Sequence, residues 1–214
     1  MSEHYLEIPK TARYSTLGAL NKEIKKVWIV CHGYGYLSNR FIRSFARINT
    51  NQVLVVAPEG LHRYYLNGFS GKVGASWMTK EDRLNDIKDY VVFLDSLYNH
   101  LFSIMCRENV TLNVLGFSQG TATACRWLCQ GKAKADNLVL WGGPVPEDIS
   151  VKSDVSIMNR LNLQMVIGDK DEFISEENLQ DHLTFLDEAL IKYKLVRYSG
   201  NHNIDPETLA SLNL

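Results

Sequence analysis

A chain of 214 residues, 45% apolar and 22% charged, is long enough for one domain with a full core and ordinary for a globular protein. Its net charge of −1 offers no basic surface for nucleic acid or an anionic membrane. No run approaches the roughly 18 consecutive apolar residues of a membrane span, and Met1-Ser2-Glu3-His4-Tyr5-Leu6-Glu7 has neither the basic nor the apolar part of a signal peptide.

Taken in chain order, residues 5–8 and 12–16 read as short antiparallel edge strands. From Val27 the pattern becomes strand, helix, strand, helix. Strands are expected at 27–31, 52–57, 111–115, 137–141, 163–167 and 194–198. Several are almost continuously apolar, as strands covered on both faces must be. Helices are expected at 38–48, 80–105, 119–130, 176–190 and 206–212. Ser175 is placed to cap the fourth, and Asp205 followed by Pro206 opens the fifth with an N-cap and a good first residue. Alternation of this kind implies an α/β fold, a mostly parallel sheet with helices on both faces. Residues 142–162 read as a loop with a short helix near 156–161, too little for a lid domain. A single domain over residues 1–214 is expected.

Gly116-Phe117-Ser118-Gln119-Gly120 lies between an expected strand and an expected helix. In that setting G-x-S-x-G forms a sharp, strained turn that presents the serine hydroxyl above the sheet. A Cβ at either glycine would collide with neighbouring backbone. Ser118 is therefore the expected nucleophile. Downstream, the strand at 163–167 runs into Gly168-Asp169-Lys170-Asp171, and the last strand ends in a loop holding His202. A serine, then an acid, then a histidine, all just beyond strand C-termini, is the order and place of an α/β-hydrolase triad. Asp169 and Asp171 compete for the acid's role. Asp169, nearer the strand, can instead bind loop backbone N–H groups.

His32-Gly33-Tyr34-Gly35 follows the first parallel strand. An N–H from this loop and the N–H after the nucleophile would form an oxyanion hole, which makes Tyr34 and Gln119 the donors. Each such donor is worth about 3–4 kcal/mol to a transition state.

Together these residues resemble the carboxylesterase/phospholipase/acyl-protein thioesterase group of α/β-hydrolases, in its small cap-less branch. The resemblance covers about residues 25–205 and rests on His32-Gly33, Ala57-Pro58, Ser76-Trp77, the Ser118 pentapeptide, Gly168-Asp169-Lys170-Asp171 and His202. It implies Ser118 as nucleophile, Asp171 as acid, His202 as base, Tyr34 and Gln119 as oxyanion donors, and ester or thioester hydrolysis with no cofactor. Asn201 stands where that group usually has a glycine. The stretch from Glu59 to Gly71 replaces its glycine-rich loop, so the loops that set specificity are where this chain departs.

The remaining residues weigh less. Residues 58–77 form a long aromatic loop on the same rim as Ser118, and Tyr65 and Trp77 are the expected pocket residues. His62 in that loop is a possible substrate contact, whereas His32 is expected to be structural. His4, His100 and His182 are assigned to solvated or packing positions. Ser70, in Gly68-Phe69-Ser70-Gly71-Lys72, lacks both a preceding strand and the final glycine of the elbow. The four cysteines, 31, 106, 125 and 129, have no metal spacing, and reduced thiols in a cytoplasmic protein are expected. Neither a metal-ligand cluster nor a P-loop is present.

The leading expectation is a serine esterase for short to medium acyl chains, acting on a small-molecule ester or thioester as a monomer or homodimer. The alternatives are a thioesterase for acylated protein or acyl-CoA, amide cleavage by the same site, and a ligand receptor on a hydrolase fold.

Overall fold

The computed structural model describes residues 1–149 and 152–214. Its elements are β1 (Tyr14–Leu17), β2 (Lys26–Cys31), α1 (Ser38–Phe41), β3 (Val53–Pro58), β4 (His62–Tyr65), β5 (Val73–Ser76), α2 (Arg83–Phe102), β6 (Thr111–Phe117), α3 (Gln119–Gln130), β7 (Asn137–Trp141), α4 (Lys152–Met158), β8 (Asn162–Gly168), α5 (Glu176–Glu188), β9 (Lys194–Tyr198) and α6 (Pro206–Ser211). Seven strands form one sheet in the order β1-β3-β2-β6-β7-β8-β9, and β4 and β5 form a separate hairpin. Only β1 runs antiparallel in the main sheet, against β3. This is an α/β-hydrolase sheet.

Alternation along the strands divides the interior in two. Val27, Ile29 and Cys31 face a core closed by α2 and α3, with Tyr90, Leu94 and Trp127 buried in it. Trp28 and Val30 face the other core, where Phe41, Phe45, Leu209 and Leu212 pack. The chain leaves β2 toward β3 on one side, then crosses through α2 to β6 on the other. This reversal is the topological switch point of the sheet, where open α/β sheets leave a crevice beyond the strand ends. Cys31 pairs with Gly116, so the ends of β2 and β6 flank that crevice.

Several elements differ from the sequence reading. The segment at 38–48 is not one α-helix. A single α-turn tightens at once into a 3₁₀ stretch, Ile42–Ile48. Leu37 supplies no capping side chain, and Arg40, Arg43 and Arg47 have no acidic residue among them to balance the helix dipole. The segment at 58–77 is not a loop but mainly the β4–β5 hairpin, whose connection is allowed by left-handed Gly68 and Gly71. Residues 5–8 form no strand, and the edge strand falls at Tyr14–Leu17. The short helix in 142–162 lies at Lys152–Met158, earlier than expected, and Ser150 and Val151 fall outside the described residues. Both proposed caps are present: Ser175 Oγ accepts from Asn178 N and Asp205 Oδ2 from Thr208 N. Among the described residues no helix is long and apolar enough to cross a membrane.

Candidate active site

Ser118 sits between β6 and α3 with φ 53° and ψ −118°, a backbone that a residue with a Cβ adopts only under strain. Its surroundings hold it there. Ser118 N donates to Trp141 O at 2.9 Å, and Ser118 O accepts from Thr121 N at 3.0 Å and Thr121 Oγ1 at 2.8 Å. A Cβ on Gly116 would overlap the Gly120 carbonyl, and one on Gly120 would overlap the Cys31 carbonyl. Both glycines are thus imposed by close backbone approach at the elbow.

His202 and Asp171 come from the loops after β9 and β8. His202 Nδ1 lies 2.8 Å from Asp171 Oδ2, and Asp171 Oδ1 accepts from Phe173 N at 2.9 Å. The carboxylate is almost wholly buried. The His202 ring lies 4.8 Å from the ring of Phe117, the residue before Ser118, and 4.7 Å from that of Phe173. Asp169 is placed differently: Oδ1 accepts from Gly200 N at 2.9 Å, joining the acid's loop to the histidine's.

Across from this pair, Gly33 packs on Ser118, where a Cβ would stand 3.1 Å from the serine Cβ. The loop that follows is stitched to β5 by Gly35 N donating to Ala75 O and Ala75 N to Tyr36 O. His32 is fully buried beneath it. Its Nδ1–H donates to Gly33 O at 2.7 Å, and its Nε2 accepts from Gly60 N at 2.9 Å. Burial holds the imidazole below its usual pKa, although the Gly33 carbonyl and Glu59 oppose this. Gln119 heads α3, where the first N–H groups lack intrahelical acceptors. Its side chain is occupied elsewhere, accepting from Trp77 N and donating to Met78 O.

One expectation about the rim needs correction. Trp77 is fully buried, with Nε1 donating to His32 O at 2.9 Å, so its indole presents no surface to a ligand. Tyr65 is half exposed, and pleat alternation puts it on the face of β4 opposite Tyr64. Tyr64 packs its ring 5.2 Å from that of Tyr34. His62 is also engaged away from the crevice, with Nε2 2.9 Å from Asp86 Oδ1 on α2.

The sequence reading missed a cavity of about 190 Å³ beside the histidine. It is bounded by Gly143, Met165, Ile167, Phe173, Leu179 and His182. A Cβ on Gly143 would stand 2.8 Å from the Ser118 backbone carbonyl, and the Phe173 ring lies 4.7 Å from that of His202, so two lining residues of the cavity adjoin the Ser118 backbone and the His202 ring. His182 helps close it. Its Nε2 accepts from Val145 N at 3.1 Å, and burial lowers its pKa despite nearby Glu147. The only signal in the sequence was the apolar run of β8 leading out toward Asp171.

The phospholipase/carboxylesterase family matches residues 15–213. The chain belongs to this family. It is a carboxylic-ester hydrolase on the α/β-hydrolase fold. Solved structures share that fold at low identity. Acyl-protein thioesterase 2 from Zea mays superposes with a TM-score of 0.71 at 15% identity, over 94% of this chain and 96% of its own. Esterase PE8 gives 0.66 at 19% identity over 94% and 96%, and the Bacillus cereus carboxylesterase 0.63 at 15% over 92% and 90%. No curated protein matches the sequence. Among the described residues no cluster of three or more His, Cys, Asp or Glu is arranged to hold a metal. All four cysteines are free, and burial raises the Cys129 thiol to about 12.

Proposed function

We propose that this esterase-family chain cleaves esters of short to medium carboxylic acids through an acyl-enzyme on Ser118. His202 takes the serine proton as Ser118 Oγ attacks the acyl carbonyl, then gives it to the departing alcohol. Asp171 fixes the imidazole tautomer and stabilises the imidazolium, and the N–H groups of Tyr34 and Gln119 hold the oxyanion. Water, activated by His202, then releases the acid. The observation that carries this reading is the 2.8 Å His202–Asp171 contact on the same crevice as the strained Ser118.

The cavity supports the acyl range. An apolar cavity of about 150 Å³ admits benzene. A space of about 190 Å³ therefore suits a chain of roughly six to eight carbons. A palmitoyl chain would have to lie partly outside it. The likeness to an acyl-protein thioesterase favours thioesters as the second substrate class, since the same oxyanion chemistry serves both.

Initial rates on p-nitrophenyl acetate, butyrate, octanoate and palmitate, with matched thioesters, test the reading. Removing the nucleophile of such a triad can cost about 10⁶ in kcat, so Ser118→Ala is expected to abolish turnover. A Ser118→Ala protein keeping more than about a tenth of the activity would overturn the mechanism.

A further inference from the structure

His202 sits in an exposed loop, yet a general base must be held to within a fraction of an ångström of its working place. The structure provides an internal clamp. Tyr198, the last residue of β9, turns its hydroxyl back under the loop. The oxygen lies 2.7 Å from Asn201 O and 2.6 Å from Asn203 O, the carbonyls on either side of His202. A phenol has one proton to donate, so the two carbonyls share it and are drawn to one point. Asn203 N also donates to Asn201 O at 2.8 Å, closing the turn around the histidine.

The hydroxyl is itself held. It accepts from Trp141 Nε1 at 3.2 Å, and the two rings pack 5.3 Å apart. Trp141 ends β7, and its carbonyl accepts the N–H of Ser118. One tryptophan therefore grips the nucleophile with its backbone and, through Tyr198, the loop of the base with its indole. Burial keeps the Tyr198 phenol protonated by raising its pKa, so it remains a donor throughout the neutral range.

We infer that Tyr198 is a positioning residue for the proposed reaction, and that the Trp141–Tyr198 hydrogen bond sets the His202 loop relative to Ser118. The inference rests on the reading of His202 as the base. Tyr198 touches neither substrate nor the reacting atoms and acts through His202 alone. Tyr198→Phe keeps the ring and its packing. It frees two carbonyls of exposed residues, which water can satisfy, and leaves the buried Trp141 Nε1–H without its acceptor, a loss of stability that the melting curve reads separately from kcat.

The test is steady-state kinetics on p-nitrophenyl butyrate for wild type, Tyr198→Phe, His202→Ala and the double variant, with thermal melting of each. Inactivation of Ser118 by a fluorophosphonate reads the reactivity of the serine without any acyl-chain binding. Displacing a catalytic group by about 1 Å can cost about 100-fold, so Tyr198→Phe is expected to lower kcat by about 10- to 100-fold. KM should stay within about twofold, and fluorophosphonate labelling should slow in proportion to kcat. In the His202→Ala background the added Tyr198→Phe change should have no further effect.

A Tyr198→Phe enzyme with wild-type kcat overturns the inference, as does a rise in KM alone or an equal loss in the His202→Ala background. Full activity in His202→Ala would instead overturn the assignment of the base, a result distinct from any of these.

Discussion

Gly142 lies against the His202 ring: at φ +60°, a Cβ placed on it would stand 3.0 Å from His202 Cε1 and 3.4 Å from Asp171 Oδ2. The glycine is thus required twice, for its left-handed backbone and for the space the imidazole occupies. Gly142→Ala should cost about 1–2 kcal/mol of stability from the backbone alone. Pushing the imidazole away from Asp171 should also lower kcat by about 10- to 100-fold. Urea denaturation and ester kinetics on the same preparation separate the two effects. A loss of stability with unchanged kcat would show that the ring accommodates the methyl without moving.

How much of this was legible in the sequence follows from which signals are local. The Ser118 elbow reads directly, because its glycines answer to backbone atoms only four residues away or on the neighbouring strand. The parallel strands read from their apolar runs. The choice between Asp169 and Asp171 did not follow from the residues alone. In the structure Asp171 meets His202, and Asp169 binds Gly200 N from the same loop. The pocket was least legible. Trp77 looked like a rim aromatic, but the contact that buries it is to His32 O, 45 residues away in sequence. In β4, Tyr64 and Tyr65 differ only in which face of a four-residue strand they occupy, and that strand was read as loop.

His32 links acidity to the loop carrying Tyr34. The folded state holds this imidazole below its usual pKa, chiefly through burial. Between that depressed value and the unfolded value of about 6.5, the unfolded chain binds more protons, so stability rises with pH. The stabilisation is complete above about 6.5 and is lost as pH falls below it. Protonation also turns Nε2 into a donor facing the Gly60 N–H, which breaks that bond. His182 shifts in the same direction, so the comparison must be with His32→Gln, which leaves His182 in place. The variant should be less stable than wild type at neutral pH by about 1–3 kcal/mol. The gap should narrow toward pH 5, and parallel denaturation curves at every pH would refute the assignment to His32.

Glu59 is the buried anchor under the start of α1. Its carboxylate accepts from Arg13 Nε at 2.6 Å, Arg63 Nη1 at 3.3 Å and Ser38 N at 3.1 Å. Burial pushes its pKa up, but the hydrogen bonds from Arg13 and Ser38 outweigh burial and hold it below the usual value. A depressed carboxyl stabilises the fold above its unfolded pKa, about 4.3, and that contribution is lost as pH falls below it. Glu59→Ala should cost about 1–3 kcal/mol, since it strips the acceptor from the buried Ser38 N–H. Arg13→Ala should cost no more than about 1 kcal/mol, because the arginine is half exposed. Urea midpoints for the two variants test that order.

The cavity makes the sharpest statement about substrate. Leu179, on α5, is buried at its wall opposite the strand residues Met165 and Ile167. Leu179→Phe projects a larger ring into the space, whereas Leu179→Ala enlarges it at a stability cost of about 2–5 kcal/mol. Neither side chain contacts Ser118, so acetate, too short to reach the wall, should turn over at a near wild-type rate in any folded variant. The octanoate-to-acetate ratio of kcat/KM should fall about 10-fold or more in Leu179→Phe, because overpacking a filled site costs about 1–3 kcal/mol. In Leu179→Ala the optimum should move toward decanoate. The ratio is read within one protein, so partial unfolding cancels from it. Equal ratios in all three proteins would mean that the acyl chain leaves Ser118 by another path.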